Sequence, residues 1–146
     1  MHIDKAFTLS ALPFANHIRR LPSQLASRSR DELEENLGMA FMTLLDLAIS
    51  TMRHSPDQPV GSPSYNVIVT LEHMYVVPRS QESHVLSITG ELLSVNALGF
   101  AGMLLVKSEN ELEAVKAEGV TKILKSVALE SVHDRQVSEA HETDAV

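Results

Sequence analysis

The 146-residue chain has no cysteine and no tryptophan, and only two tyrosines and four phenylalanines. Without cysteine there is no disulfide framework, thiolate zinc site, iron–sulfur cluster or cysteine nucleophile. The same absence agrees with a reducing compartment. With aromatics at 4%, a core must be assembled from Leu, Val, Ile, Ala and Met, which is thin for a self-sufficient domain. Apolar runs are short too: none approaches the roughly 20 residues that cross a bilayer, so a membrane is not an expected partner. The first five residues hold an early acid and no apolar run, unlike a secretory or transit peptide. Positive charge is in deficit, with twelve Lys and Arg against nineteen Asp and Glu and a formal net charge of −7. Such a field repels a phosphate backbone, so nucleic acid is not an expected partner either.

What remains is the composition of one globular domain, 44% apolar and 21% charged, long enough to bury about two-thirds of its unfolded surface. We divide it into a domain over 1–130 and an acidic, aperiodic tail over 131–146, expected to be disordered. Pro13 and Pro22 make Leu9 to Pro22 a strand or loop. Ser29-Arg30-Asp31-Glu32 fits a capping box and opens a helix to Met52. Its apolar residues Leu33, Leu37, Phe41, Leu44, Leu45, Ala48, Ile49 and Met52 share one face. Ser55 to Ser64, with three prolines and a glycine, is a connection. Tyr65 to Thr70 and Met74 to Pro78 read as an antiparallel hairpin turning at Thr70 to His73. Arg79 to His84 reads as a loop and Ser87 to Gly90 as extended, while Leu92 to Asn96 fits a strand or a lead-in to a helix. Ser108 to Glu111 is a second capping-box pattern, starting a helix that Gly119 stops. One more helix, Thr121 to Leu129, buries Ile123, Leu124 and Val127. The fold expected is α+β, an antiparallel sheet packed against a long helix, with two short helices towards the C-terminus.

No two histidines stand two or four residues apart, which removes His-x-His and the two-histidine zinc helix. Singly, each reads as a surface or turn residue. There is no Gly-x-Ser-x-Gly elbow and no P-loop. Glu32, Glu34 and Glu35 are explained by the helix dipole without a metal, so neither a catalytic residue nor a metal ligand is assigned. Arg79, following a strand, reads as a phosphate-binding fork or as a solvated loop arginine. The stretch from Ser94 to Lys107 carries more. Asn96 offers an amide, Gly99 and Gly102 let backbone approach another element or a ligand, Met103 offers a soft surface to a flat ring, and Lys107 a counter-charge. If this stretch is helical, Met103 and Lys107 share a face; the alternative is a buried glycine-containing helix with an ordinary exposed lysine.

Four blocks in order, Leu12-Pro13-Phe14, Tyr65 to Thr70, Met74 to Ser80 and Ser94 to Lys107, resemble the C-terminal portion of the fungal-type diadenosine tetraphosphate phosphorylases, also called ATP adenylyltransferases. The resemblance runs from about Leu12 to about Leu129. It implies half of a histidine-triad-like nucleotidyltransferase fold related to galactose-1-phosphate uridylyltransferase. It implies phosphorolysis of diadenosine tetraphosphate to ATP and ADP through a nucleotidyl-histidine, in the cytoplasm or the nucleus. It assigns Asn96, Ala97, Leu98, Met103 and Lys107 to nucleotide, with Arg79 as a further candidate. ATP, ADP or diadenosine tetraphosphate are the implied ligands, without a cofactor of the chain itself but with Mg or another divalent cation able to accompany the polyphosphate. The family's His-x-His-x-Gln motif is absent here. The expectation is therefore a fragment partnered by a histidine-bearing N-terminal half, or a non-catalytic nucleotide-binding or interaction module. Half of a larger sheet also implies exposed sheet edges and a tendency to form homo-oligomers.

Overall fold

The computed structural model describes residues 14–55 and 64–130. The expectations for most of the Ser55 to Ser64 connection and for the acidic tail, along with Leu12 and Pro13, lie outside these residues.

Helix α1 spans Arg30–His54, slightly longer at both ends than its apolar period indicated. Its start is fixed as the sequence requires: the Ser29 hydroxyl accepts from the Glu32 N–H at 3.3 Å, and Glu32 accepts from the Ser29 N–H at 3.2 Å. One stripe, Ala40, Leu44, Ala48 and Met52, is buried, with Leu33, Leu37, Phe41 and Ile49 at its margin. Full burial of side chains such as Leu44 and Met52 stabilises by about 2 kcal/mol each.

Strands β1 (His17–Arg20), β2 (Tyr65–Val69) and β3 (His73–Pro78) form an antiparallel sheet in the order β1-β3-β2. The expected hairpin is β2 and β3, with Val69 opposite Met74. Thr70 Oγ1 accepts from the N–H groups of Glu72 and His73 to hold the turn. Because side chains alternate across a strand, Met74 and Val76, with Tyr65 and Val67, pack under α1. Tyr75, Val77 and Ile68 face the opposite way, into a second core with Phe14, Phe100, Ile123 and Leu124. The sheet is thus buried on both faces, and the second core centres on an edge-to-face pair, Phe14 and Phe100, with ring centroids 5.5 Å apart.

Between the sheet and α3 the structure corrects the sequence reading in three places. Ser83–Val85 forms strand β4, paired with β5 (Leu92–Ser94) in a separate two-stranded sheet. The polar run from Arg79 therefore ends in a strand, and its histidine, His84, points inward. Ser87 to Gly90 is a turn rather than extended chain: Gly90 adopts φ +71° and its N–H reaches the Leu86 carbonyl at 2.8 Å. Finally, α2 covers only Ala97–Phe100. Gly102, at φ +103°, takes the left-handed conformation that glycine tolerates, and residues 103–107 are not helical.

Helices α3 (Glu109–Glu118) and α4 (Val120–Val127) meet at Gly119; α4 buries Ile123, Leu124 and Val127 as its periodicity required but ends two residues before the expected Leu129, where Ala128 turns extended to bridge Arg79. The capping box expected at α3 is only half formed. Ser108 Oγ accepts from the Glu111 N–H at 3.2 Å, but the Glu111 carboxylate reaches past Ser108 to the Lys107 N–H. The end of α4 is tied to the sheet by a bridge between Ala128 and Arg79 and by the Ala15 N–H donating to the Leu129 carbonyl at 2.7 Å.

Candidate functional site

Where β5 leads into α2 and the chain returns towards α3, a cavity of about 190 Å³ opens. Leu93, Ser94, Asn96, Glu111 and residues 103–107 line it. Asn96 is exposed and caps α2, its Oδ1 accepting from the N–H groups of Leu98 at 3.0 Å and Gly99 at 3.4 Å. Its side-chain amide nitrogen, Nδ2, has no partner among the described residues. The Met103 N–H donates to the Leu98 carbonyl at 2.8 Å, folding the chain back over α2. Met103 is 44% exposed, and Lys107 is exposed at the end of the same segment. Met103 and Lys107 are thus brought together by an irregular segment bordering a cavity, not by the helical spacing that the sequence reading entertained.

Gly99 serves a packing role. A Cβ there would lie 2.9 Å from Val95 Cγ1 and 3.0 Å from Leu104 Cδ2. Its close approach is to protein, and it seats α2 against the cavity's wall. Ala97 is half-buried and Leu98 is 45% exposed on the same short helix; neither lines the cavity.

Arg79 lies elsewhere. It is buried, and its guanidinium donates to Asn66 Oδ1 at 2.5 Å, twice to the Gln81 carbonyl at 2.8 and 3.2 Å, and to the Glu82 carbonyl at 3.0 Å. It also stacks 5.3 Å from the centroid of the Phe100 ring. Burial draws its pKa down from the ordinary guanidinium value, with the Glu82 charge acting in the other direction. Among the two sequence readings, a solvated loop arginine is therefore excluded. Its fork binds backbone carbonyls and an amide, joining β2 and the β3–β4 connection to α2.

Histidines expected at the surface are also drawn inward. His84 is buried, with Nδ1 2.6 Å from Ser126 Oγ and Nε2 2.7 Å from Glu118 Oε1. The sequence of groups resembles a hydrolytic triad, but the Ser126 hydroxyl donates to the Ile123 carbonyl at 2.7 Å. Its oxygen therefore accepts from the imidazole instead of surrendering a proton to it, and the serine is not activated. The cluster pins β4 to α3 and α4. Burial pushes the Glu118 carboxyl up, yet hydrogen bonds from His84 and Ser87, with the His84 charge, outweigh it and hold the carboxyl below its ordinary range. No group of three or more metal-ligating side chains occurs among the described residues, and no described helix is long and apolar enough to cross a membrane.

Sequence reasoning missed Glu111, which reads as the ordinary closing glutamate of a capping box, three residues after Ser108. Its only distinguishing signal is tertiary: a glutamate at that position is usually solvated, whereas this one is 1% exposed.

The described fold is thus α+β, an antiparallel sheet buried on both faces with a cavity beside the β5–α2 junction. Residues 10–130 match the ATP adenylyltransferase C-terminal domain, and the chain belongs to that family. It is 33% identical over 102 residues to diadenosine 5',5'''-P1,P4-tetraphosphate phosphorylase 2 of Saccharomyces cerevisiae, covering 68% of this chain and 29% of that protein. The fold superposes on the yeast Ap4A phosphorylase Apa2 in complex with AMP with a TM-score of 0.62 at 28% identity, over 83% of this chain and 39% of that one. Against the same enzyme in complex with Ap4A the TM-score is 0.60 at 28% identity, over 82% and 36% of the two chains. The chain thus spans less than two-fifths of the length of these relatives.

Proposed function

We propose that this chain is the nucleotide-binding C-terminal part of a nucleotidyltransferase that phosphorolyses diadenosine tetraphosphate to ATP and ADP. The observation that carries the reading is the meeting of Asn96, Met103 and Lys107 around one cavity. An amide, a polarizable thioether and an ammonium within one wall suit a nucleotide: the thioether a flat ring, the ammonium a phosphate, the amide an acceptor on either. Ala97 and Leu98 belong to this reading as the backbone of the turn that presents Asn96. Arg79 contributes by fixing the position of α2 through Phe100.

In this reading the covalent chemistry belongs to a histidine outside this sequence, since no His-x-His-x-Gln stands in it. That group attacks the α-phosphorus and expels ATP, phosphate then takes the nucleotidyl group from it to leave as ADP, and the residues described here bind and orient the nucleotide against it. A divalent cation accompanies the polyphosphate, and the setting is cytoplasmic or nuclear. The missing motif also favours a second reading, a module of the same family that holds nucleotide without transferring it.

Isothermal titration of the chain with ATP, with and without Mg, tests both readings beside Lys107→Ala. Saturable binding is expected, weakened in the variant by about 1 kcal/mol or more, a rise of roughly fivefold in Kd. An unchanged Kd removes Lys107 from the site. No binding by the native chain removes the stand-alone module. Restoration of phosphorolysis on adding a histidine-bearing N-terminal half then decides for the enzyme.

A further inference from the structure

Glu111 combines features that a purely structural glutamate lacks. It is 1% exposed, it lines the cavity beside Asn96, Met103 and Lys107, and one of its oxygens, Oε2, is fixed by the Lys107 N–H. The other oxygen has no hydrogen-bond or ion-pair partner among the described residues, the Lys107 ammonium included. A buried acceptor left unmatched in this way is costly, and native proteins rarely retain one without a partner that arrives later. The partner is a hydrogen-bond donor, because a carboxylate oxygen accepts.

We propose that Glu111 is the acceptor for the ribose hydroxyls of the bound nucleotide. The inference rests on the nucleotide reading above and names the part of the ligand that enters the cavity. A volume of about 190 Å³ is below the roughly 300 Å³ at which pockets begin to hold a whole drug-sized ligand, so the cavity admits one portion of a nucleotide. Lys107 selects which portion. With its ammonium on a phosphate, the unit covalently next to that phosphate is the sugar, and Glu111 is bound to the backbone of the same lysine. The base amino group lies one unit further away. A carboxylate accepting from the ribose 2'-hydroxyl solves the same recognition problem in dinucleotide-binding folds.

The test compares Kd values for ATP and 2',3'-dideoxy-ATP with the native chain, Glu111→Gln and Lys107→Ala. The glutamine keeps an amide oxygen for the Lys107 N–H but places a donor where the free oxygen was. The native chain is expected to prefer ATP about tenfold, equivalent to about 1.4 kcal/mol, and Glu111→Gln to lose that preference. Lys107→Ala should weaken both nucleotides alike and leave the ratio standing. A purely structural glutamate would change the urea midpoint of the variant and not the ratio. Equal affinity of the native chain for the two nucleotides overturns the proposal even if the variant fails to fold, while the effect of Lys107→Ala still reports on the nucleotide reading. A Glu111→Gln effect on ATP against inosine triphosphate, in place of the sugar effect, overturns it in favour of a base contact. Absence of any ATP binding by the native chain overturns this proposal together with the stand-alone module, while phosphorolysis restored by a histidine-bearing N-terminal half still decides the enzyme reading separately.

Discussion

Replacing Gly99 with alanine probes the geometry on which the candidate site depends. The added methyl would sit 2.9 Å from Val95 Cγ1 and 3.0 Å from Leu104 Cδ2, well inside the 3.5 to 4.0 Å at which carbon atoms rest comfortably. Overpacking of this kind costs about 1–3 kcal/mol. Alanine regains up to about 1 kcal/mol of helix propensity in a helix interior, but α2 is a single four-residue turn, so the gain is smaller here. The net expectation is a loss of about 1–2 kcal/mol. Val95 is buried and β-branched, hence stiff, so the relief comes from Leu104, which stands in the cavity wall. Gly38→Ala is the matched control: it lies in α1, and its new methyl would meet nothing within 4 Å. That change should stabilise by about 0.5–1 kcal/mol. Urea unfolding of the two variants beside the native chain gives both signs in one experiment. A Gly99→Ala protein as stable as the native one, or more so, would refute the close approach of α2 to the wall.

Two further outcomes follow from the buried polar groups. Arg79→Leu strips hydrogen bonds from the Asn66 side chain and the Gln81 and Glu82 carbonyls and should cost about 3 kcal/mol by urea unfolding; Arg79→Lys should recover little, since one ammonium cannot span the fork. A loss below about 1 kcal/mol in Arg79→Leu would contradict the joint described here. Acidification should destabilise the protein in two steps. Burial lowers the pKa of His17, whose Nε2 lies 3.0 Å from Thr51 Oγ1; its contribution is complete above the unfolded value of about 6.5, is lost as pH falls below it, and levels off beneath the folded value. Glu118, held low, contributes above about 4.3 and loses that contribution as pH falls through its lower folded value. Thermal melts across this range should show the first step vanish in His17→Gln, and its persistence there would assign it to another group.

The elements that could be read from sequence are those whose determinants are local. Ser29 and Glu32 announce α1 three residues apart, Gly119 separates α3 from α4, and alternation of β-branched residues marks β2. The pairing of β4 with β5 escaped because Ser83 and His84 look like loop residues until Ser126 and Glu118, more than 30 residues away, satisfy the imidazole. Arg79 misleads for the same reason: its acceptors are mostly carbonyls, which leave no trace in a residue pattern. At the site, Asn96, Met103 and Lys107 were legible as chemistry and by family resemblance, but the irregular path that joins them was not. Glu111 was hidden altogether behind a motif that its residue type satisfies.

The tie between the two ends of the described fold governs how it can be made. Ala15 bonds to Leu129 and Arg79 to Ala128, and these last residues divide between the two cores, Ala128 entering one and Leu129 the other. Neither core is closed until a segment more than 100 residues downstream of Ala15 arrives. Closing so long a loop is entropically slow, and contacts of this span delay folding. During synthesis, α1 and the β2–β3 hairpin emerge with their apolar faces only partly covered, and they wait for α4 and the two residues after it to finish both layers at once. The domain should consequently acquire its native packing late and as a single event, with the exposed interval before it the period of greatest risk from aggregation.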